Sequence, residues 1–326
     1  MNGVLGLLEV LDGPEMNKDQ KRILRTMRES SASLLRIIDD ILDTSKIEAG
    51  QLELNPAPVL VLPTIESIVE SITAFADSKR VELNFRVDPK IPARIICDGG
   101  RLRQVVLNLL SNAIKFSSKD DPTVLGLVRI YVESDEQSLI IRVQDNGIGI
   151  GEAELGDIFK PFVQAKMGAS ARFGGTGLGL TIVNQLVTKM GGTVDVTSEL
   201  GAGSEFTVKL PLEGSSGKIR APDLSKSHVL AYVPEPGIER YLRGYLEYSG
   251  ASYTVFNDED IFCAAIGDCE TDTTIALVAL SGSTSVAMRE VALRVNALYP
   301  QQKVLTFTSH RGALGSNTSD VLQTVH

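Results

Sequence analysis

Apolar residues at steps of three and four indicate a long helix near the start of the chain. Between residues 18 and 49 the repeating positions are Leu24, Met27, Leu34, Ile38 and Ile41, with Ser31 filling one slot. This heptad-like spacing is typical of a coiled-coil seam. Asn17, with Gln20 three residues later, can cap the start of the helix, and Gly50 suits its C-terminal end.

A shorter apolar stretch over residues 1–11 precedes this helix, and the polar turn Asp12 to Glu15 would let the two pack antiparallel. One such helical hairpin leaves its seam half covered. A second copy would bury the seam in a four-helix bundle, so we predict a homodimer through residues 1–54. Packing within a monomer is the alternative.

Residues 55–213 mix helical and strand patterns, after a stretch from Asn55 to Pro63 that prolines are expected to break. The predicted helices are 64–78, 99–116 and 178–190, and the predicted strands are 81–87, 94–97, 124–133, 139–144, 193–197 and 204–210. The two middle strands alternate in polarity, as half-buried antiparallel strands do. Helices should then cover one sheet face, which gives an α/β sandwich.

A stretch of linker composition, residues 214–227, separates this region from a last unit over residues 228–326. Short apolar strands alternate there with helical stretches, at 229–233, 253–256, 275–280 and 304–308. This alternation is the signature of a doubly wound parallel sheet. We expect this sheet to be incomplete, because the chain stops at His326 before a last strand is recognised.

Net charge, cysteine content and hydropathy bear on which partners and which cellular compartment the chain suits. A net charge of −9 gives nucleic acid little electrostatic reason to bind. Cys97, Cys263 and Cys269 fit no metal or redox spacing, and their odd number suggests reduced thiols, as in the cytoplasm. The apolar runs are too short to span a bilayer, so any membrane anchor of a longer protein is expected outside these residues.

Two glycine-containing motifs are candidates for contact with a nucleotide. Asp145, Gly147 and Gly149 follow a predicted strand, where a buried carboxylate can accept from an exocyclic amino group. A tight turn with a solvated carboxylate is the alternative. The run Gly174 to Gly179 opens a predicted helix, whose free N–H groups and dipole favour a phosphate. A Rossmann motif fails here, because a long polar loop precedes these glycines.

One helix face carries three polar side chains of the kinds that phosphoryl transfer uses. Asn108, Asn112 and Lys115 stand at positions i, i+4 and i+7, hence on one face. Amide oxygens can hold Mg²⁺ together with triphosphate oxygens, and an ammonium group can neutralise phosphate charge. Taken alone, such a stripe is more often the solvent-facing side of a helix.

In this order, the three segments resemble the nucleotide-binding boxes of the histidine kinase ATPase domain, a branch of the Bergerat-fold ATPases. The matching segments are Asn108 to Phe116 as the asparagine box, Asp145 to Gly149 as the first glycine box, Phe159 to Phe162 as the phenylalanine box and Gly175 to Gly179 as the second glycine box. Asp98, with Arg101 to Gln104, resembles the lead-in to the asparagine box.

The resemblance implies roles for these residues in holding Mg-ATP. Asn112 would bind Mg²⁺, Lys115 the phosphates and Asp145 the adenine amino group, with Asn108 as the further member of the catalytic asparagine box. The remaining nucleotide-binding positions would be Gly147, Gly149, Gly175, Thr176, Gly177, Leu178 and Gly179.

The loop of residues 160–176 would be the ATP lid of this family. Phe159 and Phe162 would anchor the lid, and Arg172 would contact the γ-phosphate. Two core aromatic residues and a solvated arginine are the alternatives. The role of this loop as an ATP lid therefore rests on the resemblance and not on its composition.

The segment Leu42 to Gly50 resembles the second helix of the kinase dimerisation and phosphotransfer hairpin. The start of the chain resembles what directly follows the family's histidine motif. The histidines of this sequence are His228, His310 and His326 alone, so the acceptor imidazole is missing. We therefore expect these residues to bind Mg-ATP without autophosphorylating.

Residues 228–326 resemble a receiver domain in their strand pattern and in Pro236. Val233-Pro234 and Ala279-Leu280 stand where a working receiver has its carboxylates, so its Mg²⁺-binding acidic cluster cannot assemble. A degenerate receiver with a docking or regulatory role is expected.

Together the patterns predict a multi-domain chain: a helical hairpin, a Bergerat α/β sandwich and a partial receiver-like unit. The favoured function is the core of a hybrid-type sensor histidine kinase, which passes the γ-phosphoryl group to a histidine and then to an aspartate of a response-regulator receiver. A phosphatase for such a receiver and a non-catalytic scaffold acting through heterodimers are alternatives. Gyrase-like and chaperone ATPases are disfavoured, since neither carries such a hairpin.

Overall fold

A long N-terminal helix, a helix and sheet sandwich and a unit built on a parallel sheet follow one another along the chain. This computed structural model describes residues 17–118, 124–163, 177–234, 236–268, 274–280, 291, 293–295, 297–299, 303–308 and 322–325. Within these residues, no helix combines the length and the apolar character needed to cross a membrane.

The first helix, α1 (Lys18–Glu48), begins and ends within one residue of its prediction. The Asn17 side chain accepts from the Gln20 backbone N–H, and the Gln20 side chain accepts from the Asn17 N–H, both over 2.9 Å. This capping box satisfies donors that have no partner within the helix. Gly50, with φ +68°, follows the helix end. The predicted helix over residues 1–11 lies outside the described residues.

The sandwich contains the largest apolar core. Its elements are β1 (Ala57–Leu60), α2 (Val61–Ser78), β2 (Val81–Val87), β3 (Pro92–Cys97), α3 (Gly99–Ser117), β4 (Gly126–Ser134), β5 (Ser138–Asp145), α4 (Glu152–Leu155), α5 (Gly179–Lys189), β6 (Thr193–Glu199), β7 (Gly203–Pro211) and β8 (Ser216–Lys218). Five strands form a sheet in the order β2-β4-β5-β7-β6. β2 and β4 are parallel, and the other neighbours are antiparallel.

Helices α2, α3 and α5 pack on one face of this sheet. Their buried side chains, among them Ile68, Leu109 and Val183, form one core with the inward residues of the strands. Along β4 and β5, buried residues alternate with half-buried ones, so the half-buried side chains lie on the opposite sheet face. The sequence prediction of a sandwich with helices on one sheet face is confirmed.

A second, three-stranded sheet corrects two predictions. β1 lies in the stretch that prolines were expected to break, and β8 lies in the predicted linker 214–227, yet both pair antiparallel with β3. Pro58 is tolerated because β1 is an edge strand. Pro63 falls in the first turn of α2, where its missing N–H would have no helical partner.

The last unit is a doubly wound parallel sheet. It consists of β9 (His228–Tyr232), α6 (Pro236–Tyr248), β10 (Ser252–Phe256), α7 (Glu259–Gly267), β11 (Thr274–Leu280), β12 (Lys303–Thr308) and β13 (Leu322–Val325). The strand order β10-β9-β11-β12-β13 is one of the two common doubly wound orders. Leu246 of α6 and Phe262 of α7 belong to separate apolar clusters on the two sheet faces.

The expectation that the last strand lies beyond the chain was wrong. β13 pairs in parallel with β12, with Val304 opposite Leu322 and Phe307 opposite Val325. The strand has four residues, with the polar pair Gln323 and Thr324 between Leu322 and Val325. So short a run has no local signal that separates it from loop, and its place is set by pairing with β12.

Candidate functional site

Helix α3 holds two of the predicted amides against the start of α5. The Asn108 Nδ2 atom donates to the Gly179 carbonyl oxygen over 3.4 Å. A Cβ atom added to Gly179 would lie 3.9 Å from both Asn108 Cγ and Asn112 Nδ2. The asparagine face of α3 therefore meets the glycine end of α5. Further along α3, the Lys115 Nζ atom lies 4.7 Å from the centroid of the Phe116 ring.

Asp145 ends β5 and is 8% exposed. Its Oδ1 atom accepts from the Gly147 N–H over 2.8 Å, which folds the glycine loop back toward the carboxylate. The Ile148 N–H donates to the Phe116 carbonyl oxygen over 3.3 Å. The loop after the buried aspartate is thereby tied to the C-terminal end of the helix that carries the amides.

Two glycines of this loop have no room for a side chain. A Cβ atom on Gly147 would overlap the Phe116 carbonyl oxygen, and one on Gly149 would overlap the Glu199 carbonyl oxygen. Gly149 also has φ +68°, a conformation that other residues rarely adopt. Glycine is therefore required at both positions by the close packing of the loop against α3 and β6.

Sequence reasoning missed a pair of serines beside Asp145. Ser204 of β7 is directly opposite Asp145 in the antiparallel register and is 8% exposed. Its Oγ atom lies 2.9 Å from the Ser198 Oγ atom of β6. Ser198 Oγ also accepts from the Ile150 N–H and donates to the Gly203 carbonyl oxygen, each over 2.8 Å. The signal that could have found Ser204 is its position directly after a glycine turn.

An open hollow of about 370 Å³ reaches Asp145 from the side of these serines. Its lining residues are Gln144, Asp145, Thr197, Ser198, Glu199, Ala202, Gly203, Ser204 and Glu205. A carboxylate accepts hydrogen bonds, and a hydroxyl can both donate and accept. Its lining includes none of the α3 amides, so within the described residues the hollow lies at the end of β5, β6 and β7 rather than between Asp145 and the asparagine face.

The residues predicted around the lid fall into different environments. Phe159 packs against the sandwich core, whereas Phe162 is 71% exposed, with φ +61°. The Phe162 N–H donates to the Gly177 carbonyl oxygen over 3.2 Å. Leu178 is 1% exposed and belongs to the sandwich core. Outside the described residues lie Arg172, Gly175 and Thr176.

The lead-in segment connects α3 to α1. The Asp98 carboxylate caps α3 by accepting from the Arg101 N–H over 3.1 Å, and it accepts from the Asn55 N–H over 3.0 Å. Burial alone would raise the pKa of Asp98, but these backbone donors outweigh it and hold that pKa below its ordinary value. The Arg101 and Gln104 side chains donate to Asp43 of α1 over 2.9 and 2.8 Å.

Two protein families match the chain. Residues 97–214 match the histidine kinase-, DNA gyrase B-, and HSP90-like ATPase family. Residues 1–50 match the His Kinase A (phospho-acceptor) domain. The fold and the site therefore define an ATPase domain of this class, preceded by a helical domain of the phospho-acceptor class.

Named sequence relatives show to which group within this class the chain belongs. The chain is 36% identical over 260 residues to the sensor histidine kinase RcsC of Escherichia coli, which covers 79% of this chain and 27% of RcsC. It is 37% identical over 217 residues to hybrid signal transduction histidine kinase A of Dictyostelium discoideum, which covers 65% of this chain and 10% of that protein. The chain belongs to the sensor histidine kinases, and it spans about a quarter or less of these relatives.

A solved structure shares the architecture. The crystal structure of full-length ShkA in complex with AMPPNP has a TM-score of 0.67 and 26% identity to this chain. The similarity covers 94% of this chain and 65% of that chain. Most of the architecture of this chain therefore has a counterpart in that structure.

Proposed function

We propose that the chain is the catalytic core of a protein-histidine kinase that binds Mg-ATP in the sandwich. The supporting observation is the meeting of Asn108 and Asn112 with the glycine end of α5, beside the loop that follows the buried Asp145. Amides, a lysine, glycine backbone and one buried carboxylate are groups that suit an adenine nucleotide with Mg²⁺.

Each of these residues has a separate task in this proposal. Asp145, with Ser204 beside it, accepts a hydrogen bond from the exocyclic amino group of adenine. The backbone at the N-terminal end of α5 faces the phosphates, whose charge Lys115 helps to neutralise. No three His, Cys, Asp or Glu side chains cluster as a metal cage among the described residues. The Asn112 amide oxygen would hold Mg²⁺ together with phosphate oxygens, and the ion would offset phosphate charge.

The proposed reaction is a phosphoryl transfer. A histidine imidazole nitrogen forms a bond to the γ-phosphorus while the bond to the β,γ-bridging oxygen breaks, and ADP leaves. The phosphoryl group then passes to an aspartate carboxylate oxygen on a response-regulator receiver, as its bond to the imidazole nitrogen breaks and the histidine is regenerated. Because His228, His310 and His326 all follow the sandwich, the proposed acceptor is a histidine that this sequence does not contain. A second copy of the chain, pairing through α1, is the other proposed partner.

Isothermal titration calorimetry with Mg²⁺ and a non-hydrolysable ATP analogue tests the nucleotide site. The unchanged chain should bind, and Asn112→Ala should weaken binding about tenfold to a hundredfold, because a ligand of the metal is removed. Asn84→Ala is the matched control, since Asn84 lies on β2 away from the site. No heat of binding from the folded, unchanged chain would overturn the proposal.

A longer chain that includes a histidine before α1 tests the transfer step. With labelled ATP it should acquire phosphate that is acid-labile and base-stable, as expected for phosphohistidine. A non-catalytic scaffold or a receiver phosphatase is the second candidate. Binding of the analogue without any such phosphate would support that candidate.

A further inference from the structure

The outer face of the large sheet carries a cluster of charged and aromatic side chains. Tyr131 and Glu133 of β4 and Arg142 of β5 are half-buried there, opposite the helices, with Arg86 of β2 beside them. Arg142 donates to Glu133 over 2.8 Å. The guanidinium carbons of Arg86 and Arg142 lie 5.8 and 5.4 Å from the centroid of the Tyr131 ring.

Helix α6 of the parallel-sheet unit meets this cluster with a tyrosine. The Tyr241 ring stacks on the Tyr131 ring, with centroids 5.7 Å apart and 26° between the planes. Arg86 lies 5.1 Å from the centroid of the Tyr241 ring and so contacts both rings. The Tyr241 hydroxyl donates to Glu133 over 3.3 Å. Stacking, cation–π contact and a hydrogen bond therefore join the two units at one point.

The contact continues along the same face of α6. Tyr245 and Tyr248 follow Tyr241 at positions i+4 and i+7, which places all three on one face. The Tyr248 hydroxyl donates to the Ile219 carbonyl oxygen, directly after β8, over 2.8 Å. Burial raises the pKa of Tyr245 to about 12, and the nearby carboxylates Glu66 and Asp88 of the sandwich add to this effect.

We propose that this tyrosine face is an intramolecular docking surface that fixes the parallel-sheet unit to the outer face of the ATPase sheet. This contact would keep the two units in one fixed orientation relative to each other. On the sandwich side, the tyrosine face contacts guanidinium and aromatic groups rather than an apolar groove.

Pulsed electron spin resonance tests the docking. Nitroxides at Asp195→Cys in β6 and Asp268→Cys after α7, both exposed positions, report the distance between the units once the native cysteines are replaced by alanine. The unchanged interface should give one narrow distance. The double variant Arg86→Ala with Tyr241→Ala should raise the undocked fraction about tenfold, because it removes the ring stacking of Tyr241 on Tyr131 and the cation–π contacts of Arg86.

Two single variants separate the ring from other effects. Arg243→Ala is the matched control on α6, because Arg243 contacts Glu239 and Tyr253 of its own unit. Tyr241→Phe keeps the ring and should stay docked. Circular dichroism establishes that each variant is folded. A broad distance distribution for the unchanged interface, or an unaltered narrow one in the folded double variant, would overturn the proposal.

Discussion

The loop after Asp145 depends on a hydroxyl group that belongs to none of the recognised motifs. Ser198 Oγ bonds the Ile150 N–H and the Gly203 carbonyl oxygen, and it lies against Ser204 Oγ. Ser198→Ala leaves a donor and an acceptor unpaired, so the free energy of unfolding should fall by about 1 to 3 kcal/mol. The affinity for an ATP analogue should fall about fivefold or more as the loop loosens.

Chemical denaturation and calorimetry measure the two effects of Ser198→Ala. Ser198→Thr keeps the hydroxyl group and should restore most of the affinity. Ser216→Ala, on the exposed strand β8, controls for loss of a surface serine. If folded Ser198→Ala binds the analogue as tightly as the unchanged chain does, the hydroxyl has no part in positioning the loop.

The elements differ in how far their own sequence determines them. Helix α1 was predicted almost to the residue because its heptad spacing and capping box are local signals. Strands β1 and β8 were missed because they are short and gain their hydrogen bonds only by pairing with the distant β3. The residues of the site also differ in how far the local sequence identifies them. Asp145 and the asparagine face stand in contiguous motifs, whereas Ser198 meets Ser204 only through the register of β6 with β7.

Helices α1 and α3 are joined by an ion pair and by a hydrogen bond from a side-chain amide. Asp43 accepts from Arg101 over 2.9 Å and from Gln104 over 2.8 Å, and the side chains of Arg101 and Asp43 are 24% and 16% exposed. Asp43→Ala leaves a half-buried guanidinium without its carboxylate. Hydrogen exchange in the C-terminal turns of α1 should therefore speed up about tenfold, as measured by mass spectrometry.

Variants at both partners separate this contact from a general weakening of α1. Arg101→Ala should accelerate exchange in the same turns, and adding Asp43→Ala to it should have little further effect, because both remove one interaction. Asp19→Asn changes the opposite end of the helix and should leave those turns unaltered. Unchanged exchange near residue 43 in Asp43→Ala would show that the pair does not hold the two helices together.

The whole molecule leaves a row of apolar side chains of α1 in contact with water. Between 37% and 51% of each of the following side chains is exposed: Ile23, Met27, Leu34, Ile38, Ile41 and Leu42. Most of them occupy the heptad positions that the sequence assigns to a seam. Such a row is costly in water, and each large apolar side chain that a partner helix covers contributes about 1.5 to 3 kcal/mol. The row is therefore the surface through which we expect two copies to associate.

Leu34→Glu tests this association at the middle of the row. In a symmetric dimer the change places two charges in one interface, so the dissociation constant should rise about a hundredfold or more, as measured by sedimentation equilibrium. Leu200→Glu is the matched control, because Leu200 is 56% exposed in the turn between β6 and β7. A monomer at every concentration of the unchanged chain would contradict the dimer. An equal shift in both variants would place the interface elsewhere.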